Sequence, residues 1–202
     1  MSNIGKPERE TQDRVAAFFV NGLGYRHLGD WTDRLGNSNI EEGILTEWLA
    51  KRGVPPARIA KAITALKREA NHAGRGLYAN NQDVYNLLRY GIPVQTEAGE
   101  NHETVPLIDW QNPEKNDFAI AEEVTLKGPK ERRPDIVLYV NGIALGVLEL
   151  KNSRVSLGEG IRQNLSNQQP EFNAWFFSTV QLILAGNDTE GLRYGAILTP
   201  EK

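Results

Sequence analysis

Apolar residues recur at helical spacing through the first ninety positions. Pro7 precedes ERETQDRVAAFFVNGLGY, where Val15, Ala16, Phe18, Phe19 and Leu23 gather on one side and Asn21-Gly22 offers a stop. A loop rich in Gly, Asp and Asn, from Gly29 to Asn39, leads to a second helix, NIEEGILTEWLAKRG, ended by Gly53. Pro55 and Pro56 open a third, ARIAKAITALKREANH, closing near Gly74, and NNQDVYNLLRYG forms a short fourth. From residue 92 the pattern turns to strands: PVQTE, TVPLIDW, FAIAEEVTL, DIVLYV and IALGVLEL, separated by turn residues. A polar helix is expected from Ser156 to Asn167, then a helix over AWFFSTVQLILAG and a last strand, YGAILT. Helices, then a sheet, then helices predict one mixed α/β (α+β) domain over 1–202. Its region 1–91 is mostly helical and packs on a strand-rich core, 92–202.

The sharpest local signal is Val140-Asn141-Gly142-Ile143, an Asn-Gly turn between two apolar runs and hence a β-hairpin. Both of its strands are apolar on both faces, which places them mid-sheet. Charges in such strands call for an explanation, because an unpaired buried charge is costly. Three occur: Asp135 opens the first strand, and Glu149 and Lys151 close the second on one face. A strict two-residue loop pairs 140 with 143 and sets Asp135 opposite Leu148. One extra loop residue pairs 140 with 144 and sets Asp135 opposite Glu149. The sequence therefore predicts a widened turn with a glycine bulge at Gly142.

Charge and composition narrow the functional classes. The chain has 23 Lys and Arg against 26 Asp and Glu, a net charge of -3, which excludes a binder relying on bulk positive charge. It has no cysteine, so disulfides, cysteine zinc sites and thiol catalysis are excluded. The three histidines, His27, His72 and His102, lack metal-binding spacing. No apolar run approaches the roughly 18 residues of a membrane helix, and the N-terminus lacks a signal-peptide pattern, so a cytoplasmic location is expected.

Asp, then Glu-x-Lys, suits metal-assisted phosphodiester hydrolysis. Two carboxylates can hold Mg²⁺, which takes few protein oxygens and keeps waters and phosphate oxygens. A lysine beside them can orient the attacking water and offset transition-state charge. The alternative is an edge-strand ion pair between Glu149 and Lys151, with Asp135 as a strand cap.

Around this trio, LIDWQNPEKNDFAIAEEVTLKG, RRPDIVLYVNGIALGVLELKNS and NLLRYGIPV resemble the N-terminal nuclease region of the restriction (R) subunit of type I restriction–modification enzymes. Arg133-Pro134-Asp135, then Leu148-Glu149-Leu150-Lys151, matches that family's PD-(D/E)xK motif, and the likeness runs from ERETQ to GLRYGAILTP. It implies a restriction-endonuclease-like core, a central mixed sheet flanked by helices, cutting double-stranded DNA with Mg²⁺. On that resemblance Asp135 and Glu149 are metal ligands and Lys151 the catalytic lysine. Glu10 on the first helix matches an acid often aimed at the metal, although complementing the helix dipole is an equal role for it. Gln163 matches the glutamine of a Gln-x-x-x-Tyr element, but Asn167 stands where the tyrosine belongs. Arg132 and Arg133, with Lys127 and Lys130, form a basic cluster suited to phosphate contacts.

The resemblance also implies partners, namely methyltransferase and specificity subunits, and two ATPase motor domains. No phosphate-binding G-x-x-x-x-G-K-[ST] motif is present, so ATP use is expected of a longer subunit of which this chain is a fragment. Two alternatives use the same fold: a docking module that holds the motor to the methyltransferase through the helices of residues 39–90, and a stand-alone repair or resolvase-type nuclease.

Overall fold

A computed structural model describes residues 8–95 and 101–199. Six strands form the central sheet: β1 (Arg26–Asp30), β4 (Phe118–Glu122), β5 (Ile136–Val140), β6 (Ile143–Lys151), β7 (Leu182–Asn187) and β8 (Gly191–Gly195). They lie in the order β1-β4-β5-β6-β7-β8. The β1/β4 and β6/β7 pairs are parallel and the others antiparallel, so the sheet is mixed and the two apolar hairpin strands are central, as expected. Helix α1 (Glu8–Ala17) covers one face, packing on Ile120, Ile136, Leu148 and Leu150. Helices α5 (Leu157–Asn167) and α6 (Ala174–Phe177) cover the other, where Phe176 and Phe177 join Val137, Tyr139, Val147 and Ile183.

Helices α2 (Glu42–Lys51), α3 (Pro56–Ala70) and α4 (Leu77–Tyr90) close a separate cluster with the small hairpin of β2 (Ile92–Val94) and β3 (Glu103–Val105). This cluster meets the sheet at Ile143, at the turn end of β5–β6. The Asn-Gly turn is itself buried there. A Cβ on Gly142 would come within 2.8 Å of the Glu41 carbonyl oxygen and 2.9 Å of Ile44. Asn141 donates to the Leu107 carbonyl and the Asn116 side chain, and accepts from the Asp117 N–H.

Four expectations are corrected. The run AWFFSTVQLILAG is not one helix: α6 stops at Phe177 and LILAGN is β7, paired with β6. A short apolar run of that kind fits a buried strand as well as a helix. Residues 26–30 are an edge strand, so Gly29 and Asp30 belong to it and not to the expected loop, and RHLGD is largely exposed, so no alternation marked it. The last strand is Gly191–Gly195 rather than YGAILT. FAIAEEVTL leaves the sheet at Glu122 because Glu123 takes a positive φ of 50°. Of the expected strand PVQTE, positions 96 and 97 lie outside the described residues.

The turn expectation fails in location but not in consequence. Val140 pairs with Ile143 across a two-residue turn, with Asn141 at φ 54° and Gly142 at φ 82°, a type I′ geometry. The extra residue lies inside β6. Tyr139 pairs with Ala144 but Leu138 with Gly146, so Leu145 is bulged. Beyond the bulge Ile136 faces Leu148, and one further step sets Asp135 across from Glu149.

Candidate active site

The bulge thus brings to one end of the sheet what a regular hairpin would set on opposite faces. Asp135 is 8% exposed and Glu149 fully buried. Asp135 Oδ2 accepts the Leu150 N–H at 2.6 Å, and the two carboxyl groups are close enough to share a hydrogen bond. Lys151 Nζ stands 3.9 Å from Glu149 Oε2, because residues two apart in a strand share a face. Burial is the main cause that pushes the Asp135 carboxyl from 3.8 to about 6. The Leu150 N–H and Lys151 pull it down, while Glu8 and Glu123 push it up. Burial, and then Asp135 beside it, raises Glu149 well above the carboxylate range. Two desolvated acids with one lysine between them are short of positive charge.

Helix α5 supplies hydrogen-bond donors to this pair. Ser156 caps it by accepting the Gly158 N–H, and Gly160 lets it approach β6 and β7 closely, since a Cβ there would meet Ala185 at 3.3 Å. One turn on, Gln163 Nε2 donates to Glu149 Oε2 at 2.8 Å, and Asn167 Nδ2 lies 3.4 Å from Glu149 Oε1. Gln163 therefore contacts the acid, and Asn167, the departure from the expected element, reaches the same carboxylate.

Helix α1 brings Glu8 to the site, not Glu10. Glu8 Oε1 lies 3.7 Å from Lys151 Nζ, and one turn on Gln12 donates to Glu122 at 3.0 Å and to the Asp135 carbonyl at 3.3 Å. Residues 8 and 12 share the inward face, whereas residue 10 is turned about 200° from residue 8 and is exposed. The i, i+4 pairing with a polar, inward Gln12 was the available signal. Thr11 and Arg14 fix the helix further by bonding Asp188.

A cleft of about 310 Å³ opens on Asp135 and Lys151 and is lined besides by Glu8, Glu123, Glu131, Arg132, Arg133 and Gln163, while Glu149 stays buried outside its lining. The basic cluster at its rim is mostly engaged. Arg133 Nε lies 2.8 Å from Glu123, the Arg132 guanidinium stacks 3.9 Å over Phe172, and Lys127 pairs with Glu131. Glu123 also receives Arg9 at 3.5 Å, so one carboxylate occupies two cations that could face phosphate. Glu8, Glu123 and Asn167 were not anticipated. Glu123 lies inside the expected strand run FAIAEEVTL, where nothing set it apart from Glu122.

The candidate metal donors are the hard oxygens of Asp135 and Glu149. Among the described residues no group of three or more His, Cys, Asp or Glu is arranged to hold a metal. Two carboxylates leaving most positions open is a donor set that Mg²⁺ accepts and a structural zinc site does not.

The family model described as type I restriction enzyme R protein N terminus matches residues 5–202. The chain is 35% identical over 162 residues to the type I restriction enzyme HindI endonuclease subunit of Haemophilus influenzae, covering 75% of this chain and 15% of that protein. A Methanocaldococcus jannaschii protein, provisionally described as the type I restriction enzyme MjaVIIIP endonuclease subunit, is 33% identical over 140 residues, 65% of this chain and 13% of its own length. The chain thus spans a small part of the relatives it matches.

Proposed function

The chain belongs to the type I restriction enzyme R protein N-terminus family, and from that membership we propose that it is the nuclease domain of such a subunit, a Mg²⁺-dependent endonuclease for double-stranded DNA. The observation that carries the reading is the convergence of buried Asp135 and Glu149 with Lys151, of which Asp135 and Lys151 line a polar cleft.

Asp135 and Glu149 would hold the ion. When bound, Mg²⁺ supplies a Lewis acid that stabilises charge on the phosphoryl oxygens and favours hydroxide formation. The Leu150 N–H holds one Asp135 oxygen, so the carboxylate keeps a single orientation. Lys151, with only 13% of its side chain exposed, orients the attacking water and offsets the phosphate's charge from a site shielded against bulk screening. Arg133 and Arg132 grip the DNA backbone, Arg133 after exchanging Glu123 for a phosphate. None of these contacts reads a base, so cutting is independent of sequence.

A net charge of -3 gives the domain little unaided affinity for DNA. Specificity and methyltransferase subunits would select the site, and ATP-driven motor domains outside this chain would deliver the duplex, in cytoplasmic defence against foreign DNA. Among the described residues no helix is long and apolar enough to cross a membrane. The test is cleavage of closed circular DNA by the assembled enzyme carrying Asp135→Ala, Glu149→Ala or Lys151→Ala. Each is expected to lower cutting by about 10²–10³-fold or more while ATP hydrolysis persists. Cutting that survives all three substitutions while assembly fails would favour a docking role instead.

A further inference from the structure

We propose that Asn167 is a positioning residue for this site: its side-chain amide, together with that of Gln163, fixes the Glu149 carboxylate in the orientation that receives the divalent cation. The inference rests on the metal-nuclease reading above. Gln163 and Asn167 are four residues apart on α5 and so stand one above the other on the face turned to β6. Each addresses a different oxygen of Glu149, Oε2 at 2.8 Å and Oε1 at 3.4 Å. With both oxygens engaged, rotation of the carboxylate about its last bond breaks one contact or the other. Asp135 needs no such clamp, because the Leu150 backbone N–H already holds it. Neutral amides suit this task, since a lysine or arginine in their place would compete with the metal for the same charge.

The rest of Asn167 argues against a packing role. The side chain is fully buried, yet its Oδ1 has no hydrogen-bond partner. Packing alone would favour leucine, which is of similar size and has no polar atom to leave unsatisfied. Turning the amide over would set Oδ1 against Glu149 Oε1, so the donor orientation follows from the carboxylate. The backbone is also pinned, as Asn167 ends α5 and its carbonyl accepts the Asn173 N–H at 3.2 Å. Where the related element carries tyrosine, this chain has a shorter amide that reaches the acid directly.

The test is Mn²⁺ titration followed by electron paramagnetic resonance, with melting temperatures, on this chain and its Asn167→Leu, Asn167→Gln and Asp135→Asn variants. Asn167→Leu should weaken Mn²⁺ binding by about 10–100-fold, the usual effect of removing a hydrogen-bond partner from a metal ligand. Its melting temperature should change by only a few degrees, because the lost donor to Glu149 is offset by removal of the unsatisfied Oδ1, and Asn167→Gln, which keeps the donor, should recover most of the affinity. Asn167→Leu binding Mn²⁺ as tightly as wild type, or Asn167→Gln failing to recover affinity in a chain that melts like wild type, would overturn the inference alone. A wild-type chain with no Mn²⁺ binding sensitive to Asp135→Asn would overturn the site reading and this inference with it.

Discussion

Asp135→Asn should stabilise the metal-free chain at neutral pH. The native carboxyl titrates at about 6 instead of 3.8, chiefly because burial disfavours its charge. Because the folded value lies above the unfolded one, the native state binds the proton more tightly between those two values. Stability therefore falls as pH rises from about 4 to 6, and the cost is fully present above 6 and absent below about 4. At 1.36 kcal/mol per pH unit the shift corresponds to at most about 3 kcal/mol, shared with Glu149 because the two acids titrate as a pair. Asparagine keeps an oxygen to accept the Leu150 N–H at the position of Asp135 Oδ2, and its NH₂ can donate to Glu149 where the two acids shared a hydrogen bond. For a chain of this length that limit is about 6–12 °C in melting temperature. Thermal melts in EDTA from pH 4 to 8 should show wild type and variant converging at the acid end and separating toward pH 7.5. Saturating Mg²⁺ should close the gap by stabilising wild type alone, by about 2.7 kcal/mol at a hundred times its Kd. A variant less stable than wild type in EDTA at pH 7.5, or a gap that ignores pH, would refute the reasoning.

Other consequences follow from neighbouring contacts. Glu8→Ala should lower Mn²⁺ affinity and cleavage by about tenfold, whereas Glu10→Ala, exposed on the opposite side of α1, should change neither. Arg133→Ala should reduce the slope of log K against log salt for DNA binding by about 1, uniformly across sequences, as expected for a lost phosphate contact. Gly142→Ala should cost on the order of 3 kcal/mol in urea unfolding, because φ is 82° and a Cβ would meet backbone of α2 and the segment before it. Its effect on cleavage at a fixed folded fraction should be small, since the turn lies at the far end of the hairpin from Asp135.

Much of the site was legible because a charge in a strand buried on both faces is conspicuous. Asp135, Glu149 and Lys151 announced themselves that way, and the need for one extra residue in the hairpin followed from their parity. Where that residue went was harder to read. Asn141-Gly142 suits a two-residue turn, and the one mark beside the bulge at Leu145 is Gly146, a strand glycine packed against the Leu138 side chain. LILAGN was hidden for a related reason, as a short apolar run carries no period that separates strand from helix. Edge strand β1 lacks an apolar face altogether. On α1 the acids at 8 and 10 are equivalent by composition, and only the helix phase set by Gln12 and Ala16 decides between them. In the sequence Asn167 reads as a defect in a motif, because its contact with Glu149 exists only with α5 packed on β6. The choice of donor to Glu149 is a tertiary fact, fixed by how closely Gly160 lets the helix approach.

Anomalous diffraction from crystals of the chain soaked in Mn²⁺ tests the central claim most directly. The account predicts a peak within about 2.0–2.4 Å of oxygens from both Asp135 and Glu149, with waters completing the shell and Lys151 Nζ outside it. A saturating soak that leaves the carboxylates metal-free, or seats the ion away from them, would contradict it.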